Sequence, residues 1–375
     1  MKILIFNWRD INHPLSGGAE ISLFEHAKYW KKMNNDVTWF SSSFKNAKKE
    51  ERIDGIRFIR KGSHYTVHIW AFLYYLKKKF GKVDVVIDSF HFIPFFTPLY
   101  IPSDKIVGLI NEIAGKVWFE NLNYFFALIG FYLEPLLFKF YNKNVLITGS
   151  ESTKKELIKV GLKRSNIRII HHGVNIVKNN LKKETIPTII FLGRISFDKG
   201  IKDALDIFVK IAKENKTIRL WIVGKEEKPK MMESMLRSID LNIKAKIKYF
   251  GFVSEKKKFE LLKRAWILIH PSKKEGWGLN VIEAASQGTP TVGYNVEGLR
   301  DSVKNGETGI LVSPSNTGEF IASVNKMLNA NRKNLYLNFS NKAIDWSKQF
   351  NWDTSSKQSL SVLIAIYEKN IKKYD

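Results

Sequence analysis

AWILIHPSKKEGWGLNVIEAASQGTP, running from Ala265 to Pro290, divides into three parts. AWILIHPS is an apolar run closed by Pro and Ser, the pattern of a strand buried on both faces of a parallel sheet. Gly276-Trp277-Gly278 makes a turn. LNVIEAASQ has the composition and apolar spacing of a helix, with Gly288 and Thr289-Pro290 placed to stop it. In a strand–glycine turn–helix unit, the N–H groups of the first helical turn point into the loop mouth and favour an anion there. Glu275 precedes the turn and Glu283 lies about one turn into the helix. A phosphate between them would have a carboxylate on either side to accept hydrogen bonds from hydroxyls, which suits a phosphorylated sugar. As a loop carboxylate Glu275 is expected to be exposed, so that its removal costs little stability.

These residues resemble the glutamate-x7-glutamate signature of the retaining family 4 glycosyltransferases (glycosyl transferases group 1). The interval is supported by Gly-Trp-Gly after the first glutamate, Ala284-Ala285 after the second and the Gly-Thr-Pro close. The resemblance implies the α/β GT-B fold, with two Rossmann-like doubly wound domains facing a central cleft and a C-terminal helix crossing back to the first domain. It is strong over 188–314 and looser before. The expected division is 1–177 for an acceptor-side domain, 178–187 for a polar, lysine-rich linker, 188–345 for a nucleotide-sugar-binding domain and 346–375 for the returning tail.

Composition agrees with such an architecture. The chain has 375 residues, 44% hydrophobic and 26% charged, enough for two α/β cores. There is no cysteine, which excludes disulfides, thiolate metal sites and a cysteine nucleophile. The opening MKILIFNW is too short and too soon polar for a signal peptide, and no run is long enough to span a bilayer. The expectation is a cytoplasmic protein, with the inner face of the cell membrane as a candidate peripheral location. The net charge of +25 is spread over both halves of the chain, unlike a basic tail or a single nucleic-acid module. Much of it is lysine at helical surface positions, such as 77–79 and 256–258. The sharper reading of that excess is attraction to anionic lipid or anionic substrates.

Further candidates follow in chain order. Ser16-Gly17-Gly18-Ala19-Glu20 stands between a first strand and a helix, where glycine permits close backbone approach to a ligand; Gly17 and Gly18 match a family loop that faces the reaction centre. His91 follows the apolar run 83–90, at the crevice side of a doubly wound sheet, and is either a ligand contact or a histidine packed among phenylalanines. Asn111 and Glu112 follow the strand 106–110. Many family members carry a histidine near the transferring sugar here, so that contact falls to Asn111, Glu112 or His91. Residues 117–141 form the most apolar stretch. They read as a core helix pair, the commonest place for long apolar helices, or as a lid or groove wall that docks on a membrane or holds a lipid-linked acceptor. Ser150 and Ser152 are candidate helix caps. His171 and His172 lack partners at metal-ligand spacing and read as structural.

In the second half, Gly193-Arg194 ends a strand and Lys199-Gly200 follows. Arg194 offers a planar fork and Lys199 a point charge. By the resemblance these two hold the donor diphosphate, together with the helix start at Gly276, Trp277, Gly278 and Leu279. Glu275 would accept from donor-sugar hydroxyls and Glu283 from the ribose. Residues 247–254 resemble the segment that lines the base pocket. No Asp-x-Asp occurs, and the cations can supply the positive potential a metal would give, so no metal and no cofactor is expected beyond a UDP- or GDP-sugar donor. The expected activity is retaining, metal-independent transfer to a glycan or lipid-linked acceptor, with an anionic membrane surface as a candidate partner and no specific nucleic acid. The alternatives are a nucleotide-sugar epimerase, a transferase with a soluble acceptor, and a basic nucleic-acid binder, whose salt-sensitive affinity would survive loss of Glu275.

Overall fold

The computed structural model describes residues 1–90, 93–121, 123–176, 181–329 and 333–374. The chain forms two compact units, Met1–Gly173 with Trp352–Asp375, and Val174–Asn351.

The first unit is built on an eight-stranded sheet. Its strands are β1 (Lys2–Phe6), β2 (Asp36–Ser41), β3 (Glu50–Ile53), β4 (Ile56–Arg60), β5 (Val85–Phe90), β6 (Ile106–Ile110), β7 (Val145–Thr148) and β8 (Ile167–Ile169). The order is β3-β4-β2-β1-β5-β6-β7-β8. All neighbours are parallel except β3, which pairs antiparallel with β4 at the edge. Parallel strands need crossovers, and the helices supply them: α1 (Gly18–Lys32), α2 (Val67–Leu76), α3 (Trp118–Asn121), α4 (Tyr124–Lys139) and α5 (Glu151–Lys159). One face of the sheet packs under α2, α4 and α5, with Phe6, Phe40 and Phe90 at its centre. Ser150 caps α5, accepting from Thr153 N at 3.1 Å, whereas Ser152 lies inside the helix.

The second unit is a six-stranded, wholly parallel sheet of β9 (Thr188–Leu192), β10 (Arg219–Val223), β11 (Ile247–Gly251), β12 (Ile267–His270), β13 (Thr291–Tyr294) and β14 (Gly309–Val312). The order is β11-β10-β9-β12-β13-β14. Its helices are α6 (Ile201–Glu214), α7 (Met231–Arg237), α8 (Leu241–Lys244), α9 (Glu255–Arg264), α10 (Leu279–Ser286), α11 (Leu299–Ser302), α12 (Thr317–Leu328) and α13 (Lys333–Ser347). β9 and β12 are buried along their whole length, as their unbroken apolar runs require. Residues 178–180 of the expected linker, with residue 177 before it, lie outside the described residues. The following segment is fastened to this unit: half-buried Lys183 donates to Ala265 O and Thr289 Oγ1, both at 2.6 Å, and Glu184 pairs with Arg264.

The last helix, α14 (Trp352–Tyr374), belongs to the first unit, as the C-terminal helix was expected to. It packs on α1 over the second face of the sheet. Serines make the seam close and polar: Trp30 Nε1 donates to Ser359 Oγ at 3.0 Å, and His26 Nδ1 lies 3.1 Å from Ser356 Oγ.

The apolar stretch differs from the core helix pair that its composition favoured. Asn123 caps α4, accepting from Phe126 N, and Pro135 sits inside the helix. Only Ala127, Glu134 and Phe138 of α4 are buried, while most of its aromatic side chains face outward.

Candidate functional site

Three loops leave the carboxyl ends of β9, β12 and β13, the edge where doubly wound sheets bind ligands. The β9 loop carries Arg194, Asp198 and Lys199. The β12 loop carries Glu275 and leads to α10, and the β13 loop ends at Gly298. Two glycines let these backbones touch. At Gly200, with φ +76°, an added Cβ would lie 1.9 Å from Pro271 O; at Gly298, with φ +75°, it would lie 2.4 Å from Glu275 O. No other residue type fits a left-handed backbone pressed on a neighbouring peptide. Asn280, in the first turn of α10, completes the clamp by donating to Leu192 O at 2.7 Å. The glutamate loop is therefore held by backbone contacts on both sides.

Glu275 is not exposed, contrary to the expectation for a loop carboxylate; its side chain keeps 13% of its accessible area. Lys199 Nζ donates to its Oε1 at 2.8 Å, and His270 Nε2, at the end of β12, lies 3.0 Å from the same oxygen. A carboxylate only accepts, so that histidine nitrogen carries the proton. Burial works to raise the Glu275 pKa, but the Lys199 charge and the His270 hydrogen bond outweigh it and hold the group well below the usual carboxylate range. Removing this side chain would take a partner from both Lys199 and His270, so the small stability cost expected of an exposed carboxylate does not apply.

Glu283, on the fifth residue of α10, sits in a different environment. Lys258 Nζ donates to its Oε1 at 2.7 Å. Its Oε2 is buried with no hydrogen-bond partner among the described residues. Burial dominates and pushes the Glu283 pKa up, with Lys258 offsetting it only in part. Lys258 belongs to a lysine run read from the sequence as solvated surface. In fact its ammonium bridges Glu255 and Glu283 and its side chain is 12% exposed.

Arg194 remains exposed and pairs with Asp198 at 3.0 Å. Against the opposing effect of burial, Arg194 and Lys199 hold the Asp198 carboxyl below its ordinary value. Between the two glutamates, Gly276-Trp277-Gly278 turns into α10, and Gly278 caps the helix without a side chain. Trp277 points inward, 3% exposed, with its ring edge-on to Phe350 at 5.1 Å. With Trp277 buried and Leu279 packed partly against the core, the turn offers chiefly backbone to a ligand. The site thus gathers Arg194, Lys199, Glu275, Glu283 and the α10 start at one edge of one sheet. Among the described residues no group of three or more His, Asp or Glu side chains is placed to hold a metal ion.

The first unit holds the remaining candidates. Gly17 is the N-cap of α1 in an extended conformation, and its N–H donates to Glu20 Oε2 at 2.8 Å. An added Cβ would meet nothing nearer than that oxygen at 3.9 Å, so glycine leaves the helix mouth open and is not needed for the turn. Buried Arg9 braces the loop by donating to Glu20 Oε1 at 3.1 Å and Leu15 O at 2.7 Å. Asn111 follows β6. Its carbonyl accepts from Thr153 Oγ1, and its Oδ1 is buried without a hydrogen-bond partner among the described residues. His91 lies outside the described residues. His172 is buried against Ser22 Oγ at 2.6 Å and burial lowers its pKa to about 4, while His171 Nδ1 lies 2.8 Å from Gly149 O. Both contacts lie within the first unit.

His270, Lys258, Asp198, Asn280 and Gly298 did not stand out in the sequence. Only His270 carried a signal, as a histidine closing an apolar strand five residues before Glu275.

Comparison with known proteins agrees with this architecture. Residues 175–346 match the family described as glycosyl transferases group 1, and residues 16–178 match glycosyltransferase family 4. An uncharacterized glycosyltransferase of Methanocaldococcus jannaschii is 26% identical over 238 residues, which covers 59% of this chain and 60% of the relative's own length. Sucrose-phosphate synthase from Thermosynechococcus elongatus superposes with a TM-score of 0.79 at 17% identity, covering 98% of this chain and 99% of that one. Anabaena HepE, solved in complex with UDP and glucose, gives 0.71 at 17% identity, covering 97% and 100%. The nucleotide-sugar epimerase alternative finds no support in these matches.

Proposed function

Since the chain belongs to the group 1 and family 4 glycosyltransferases and has their GT-B fold, we propose that it moves a sugar from a nucleoside-diphosphate sugar to a glycan or lipid-linked acceptor with retention of configuration. The observation that carries the reading is the juxtaposition of two unlike glutamates with two cations around one helix start. Glu283 has a buried acceptor oxygen to spare, as a ribose hydroxyl requires. Glu275 is kept ionised and oriented, ready to accept from hydroxyls of the donor sugar.

The reaction breaks the bond between the sugar C1 and the diphosphate oxygen and forms one between C1 and the acceptor oxygen. In the proposed retaining course the acceptor arrives on the leaving-group face, and a phosphate oxygen takes its proton. Negative charge grows on the diphosphate, so preorganised positive groups lower the barrier. Arg194 offers a planar fork on the exposed side. Lys199 has three donors, so it can keep Glu275 and still reach a phosphate oxygen. The first-turn N–H groups of α10 add their dipole. These groups provide the potential that a divalent ion gives other transferases, and the proposal therefore includes no metal. On the first unit, Asn111 and the Gly17-Gly18 loop are the proposed contacts to the transferring sugar and its acceptor.

The likeness to HepE makes UDP-sugars the first donors to try, ahead of GDP-sugars. The test is a thermal-shift and donor-hydrolysis screen in EDTA, since a ligand that binds the native state raises Tm without any acceptor present. One nucleotide-sugar that stabilises the protein, with slow hydrolysis lost in Glu275→Gln, supports the reading. Hydrolysis by that variant at the wild-type rate refutes the role of Glu275, and a need for added metal refutes the cation argument.

A further inference from the structure

α4 reverses the usual amphipathic rule. Its one carboxylate, Glu134, is 2% exposed, while Tyr124, Phe125 and Tyr132 are 74%, 66% and 66% exposed. The roll of the helix is fixed by that buried group. Glu134 accepts from Ala114 N at 2.7 Å, Gly115 N at 2.8 Å and Trp118 Nε1 at 3.0 Å, which turns the polar side inward and the aromatic side out. Fully buried Asp88 steadies the next elements, accepting from Tyr141 just past α4 and from Thr97 and Phe95 in the adjoining loop.

The apolar surface continues beyond α4. Phe140 meets Phe96 at 6.3 Å between ring centres, and Tyr100 meets Phe72 of α2 at 5.1 Å. α2 lies over the same face of the sheet and exposes Ile69, Phe72 and Leu76. Lysines mark the ends of both helices. Lys77, Lys78 and Lys79 leave the end of α2, and Lys139 and Lys143 leave the end of α4, all exposed. Residues 61–83, 93–101 and 123–143 contain no acidic side chain except buried Glu134. No helix of the described residues is long and apolar enough to cross a membrane.

We propose that α4 and the adjacent face of α2 seat this unit on an anionic lipid bilayer, with α4 lying in the boundary between headgroups and acyl chains. Helices with one apolar, aromatic-rich face and a basic rim bind in that plane, and the lysines add attraction to anionic headgroups. A second copy of the chain fits the surface worse, because it would bring two lysine rims together on molecules of net charge +25. The inference goes beyond the proposed transfer reaction and is tested without any sugar donor, so the two fail separately.

The chain has no cysteine, so single-cysteine labelling is clean. Tyr132→Cys carrying an environment-sensitive fluorophore is mixed, as full chain, with vesicles of phosphatidylcholine alone or with added phosphatidylglycerol. A blue shift on the anionic vesicles, absent from a label at Lys357→Cys on α14 and weakened by salt, is the expected result. Co-sedimentation with the same vesicles should fall at least about tenfold in Phe125→Ser/Tyr132→Ser and in Lys77→Gln/Lys78→Gln/Lys79→Gln, with Tm unchanged. No shift at position 132 overturns the proposal, as does equal binding to both vesicle types. A dimer in sedimentation velocity that is abolished by the aromatic substitutions assigns the face to a second copy and also overturns it.

Discussion

Lys199→Met tests whether Glu275 is held ionised by its neighbours. The substitution keeps the aliphatic stem and removes the ammonium 2.8 Å from Glu275 Oε1. At an effective dielectric constant of about 20 the direct attraction is about 6 kcal/mol, most of it cancelled by desolvation of the two ions. Removing one partner of a fully buried pair costs about 3–5 kcal/mol. Lys199 and Glu275 retain 22% and 13% side-chain exposure. Water therefore reaches the stranded carboxylate in part, and the expected cost is about 2–3 kcal/mol. Glu275→Gln keeps an acceptor for Lys199 and His270 and should cost only about 1 kcal/mol.

The double variant has no stranded charge, so its cost should fall short of the sum by at least about 1 kcal/mol. Urea unfolding measures all four proteins, with buried Trp277 as a reporter two residues from the pair. pH supplies a second reading. Because the folded-state pKa of Glu275 is depressed, its contribution is present above the ordinary carboxylate value and is lost as pH falls through about 4 towards the folded value. The gap between wild type and Lys199→Met should narrow over that range. A Lys199→Met cost below about 0.5 kcal/mol, with additive single effects, would refute the reasoning.

His26 and His172 have folded-state pKa values lowered to about 3 and about 4, chiefly by burial, so the unfolded chain takes up their protons first as pH falls below about 6.5. Stability should drop by about 2 kcal/mol per histidine by pH 5, and His172→Gln should flatten the Tm–pH curve in that window; an unchanged slope contradicts the assignment. Glu134→Ala should destabilise by about 2–3 kcal/mol in chemical denaturation, because it strands the N–H groups of Ala114, Gly115 and Trp118; a loss under about 0.5 kcal/mol would mean that α4 is oriented by something else. Glu283→Gln should change Tm in EDTA by no more than a few degrees yet weaken donor binding about tenfold or more, and an unchanged donor-induced Tm shift would count against a ribose contact.

Much of the architecture was legible because a parallel sheet announces itself. Strands such as Ile189–Leu192 and Ile267–His270 are unbroken apolar runs, and glycine turns followed by helical spacing mark what comes next. The edge strand Glu50–Ile53 gave no such signal, since its sequence EERI needs no apolar face where one side meets solvent. The apolar stretch misled for a related reason. Composition reports how apolar a helix is, and the direction of its apolar side depends on Glu134 finding three donors in residues 114–118, which no local spacing encodes. At the site, the glutamates and cations were readable from their positions after strand ends. Lys258 was not, because its partner Glu283 lies on a different helix and a lysine run looks alike whether it is solvated or paired.

The two glutamates meet their burial in opposite ways. Glu275 is satisfied without ligand, with Lys199 and His270 on one oxygen, so its burial is already compensated and its geometry is fixed before a donor arrives. Glu283 has one buried oxygen with no partner among the described residues and a raised pKa, so a hydroxyl reaching it would supply a hydrogen bond that the protein does not. The first arrangement favours orientation of the reacting sugar, where a small misplacement is costly in rate. In the proposed reaction the second would favour affinity for the nucleotide half, because Glu283 Oε2 would gain its hydrogen bond on binding. One helix start is thus flanked by a preorganised group in the loop before α10 and an incomplete one about one turn into it. In the proposed reaction this difference in satisfaction, more than the interval between the two carboxylates, would give them distinct roles.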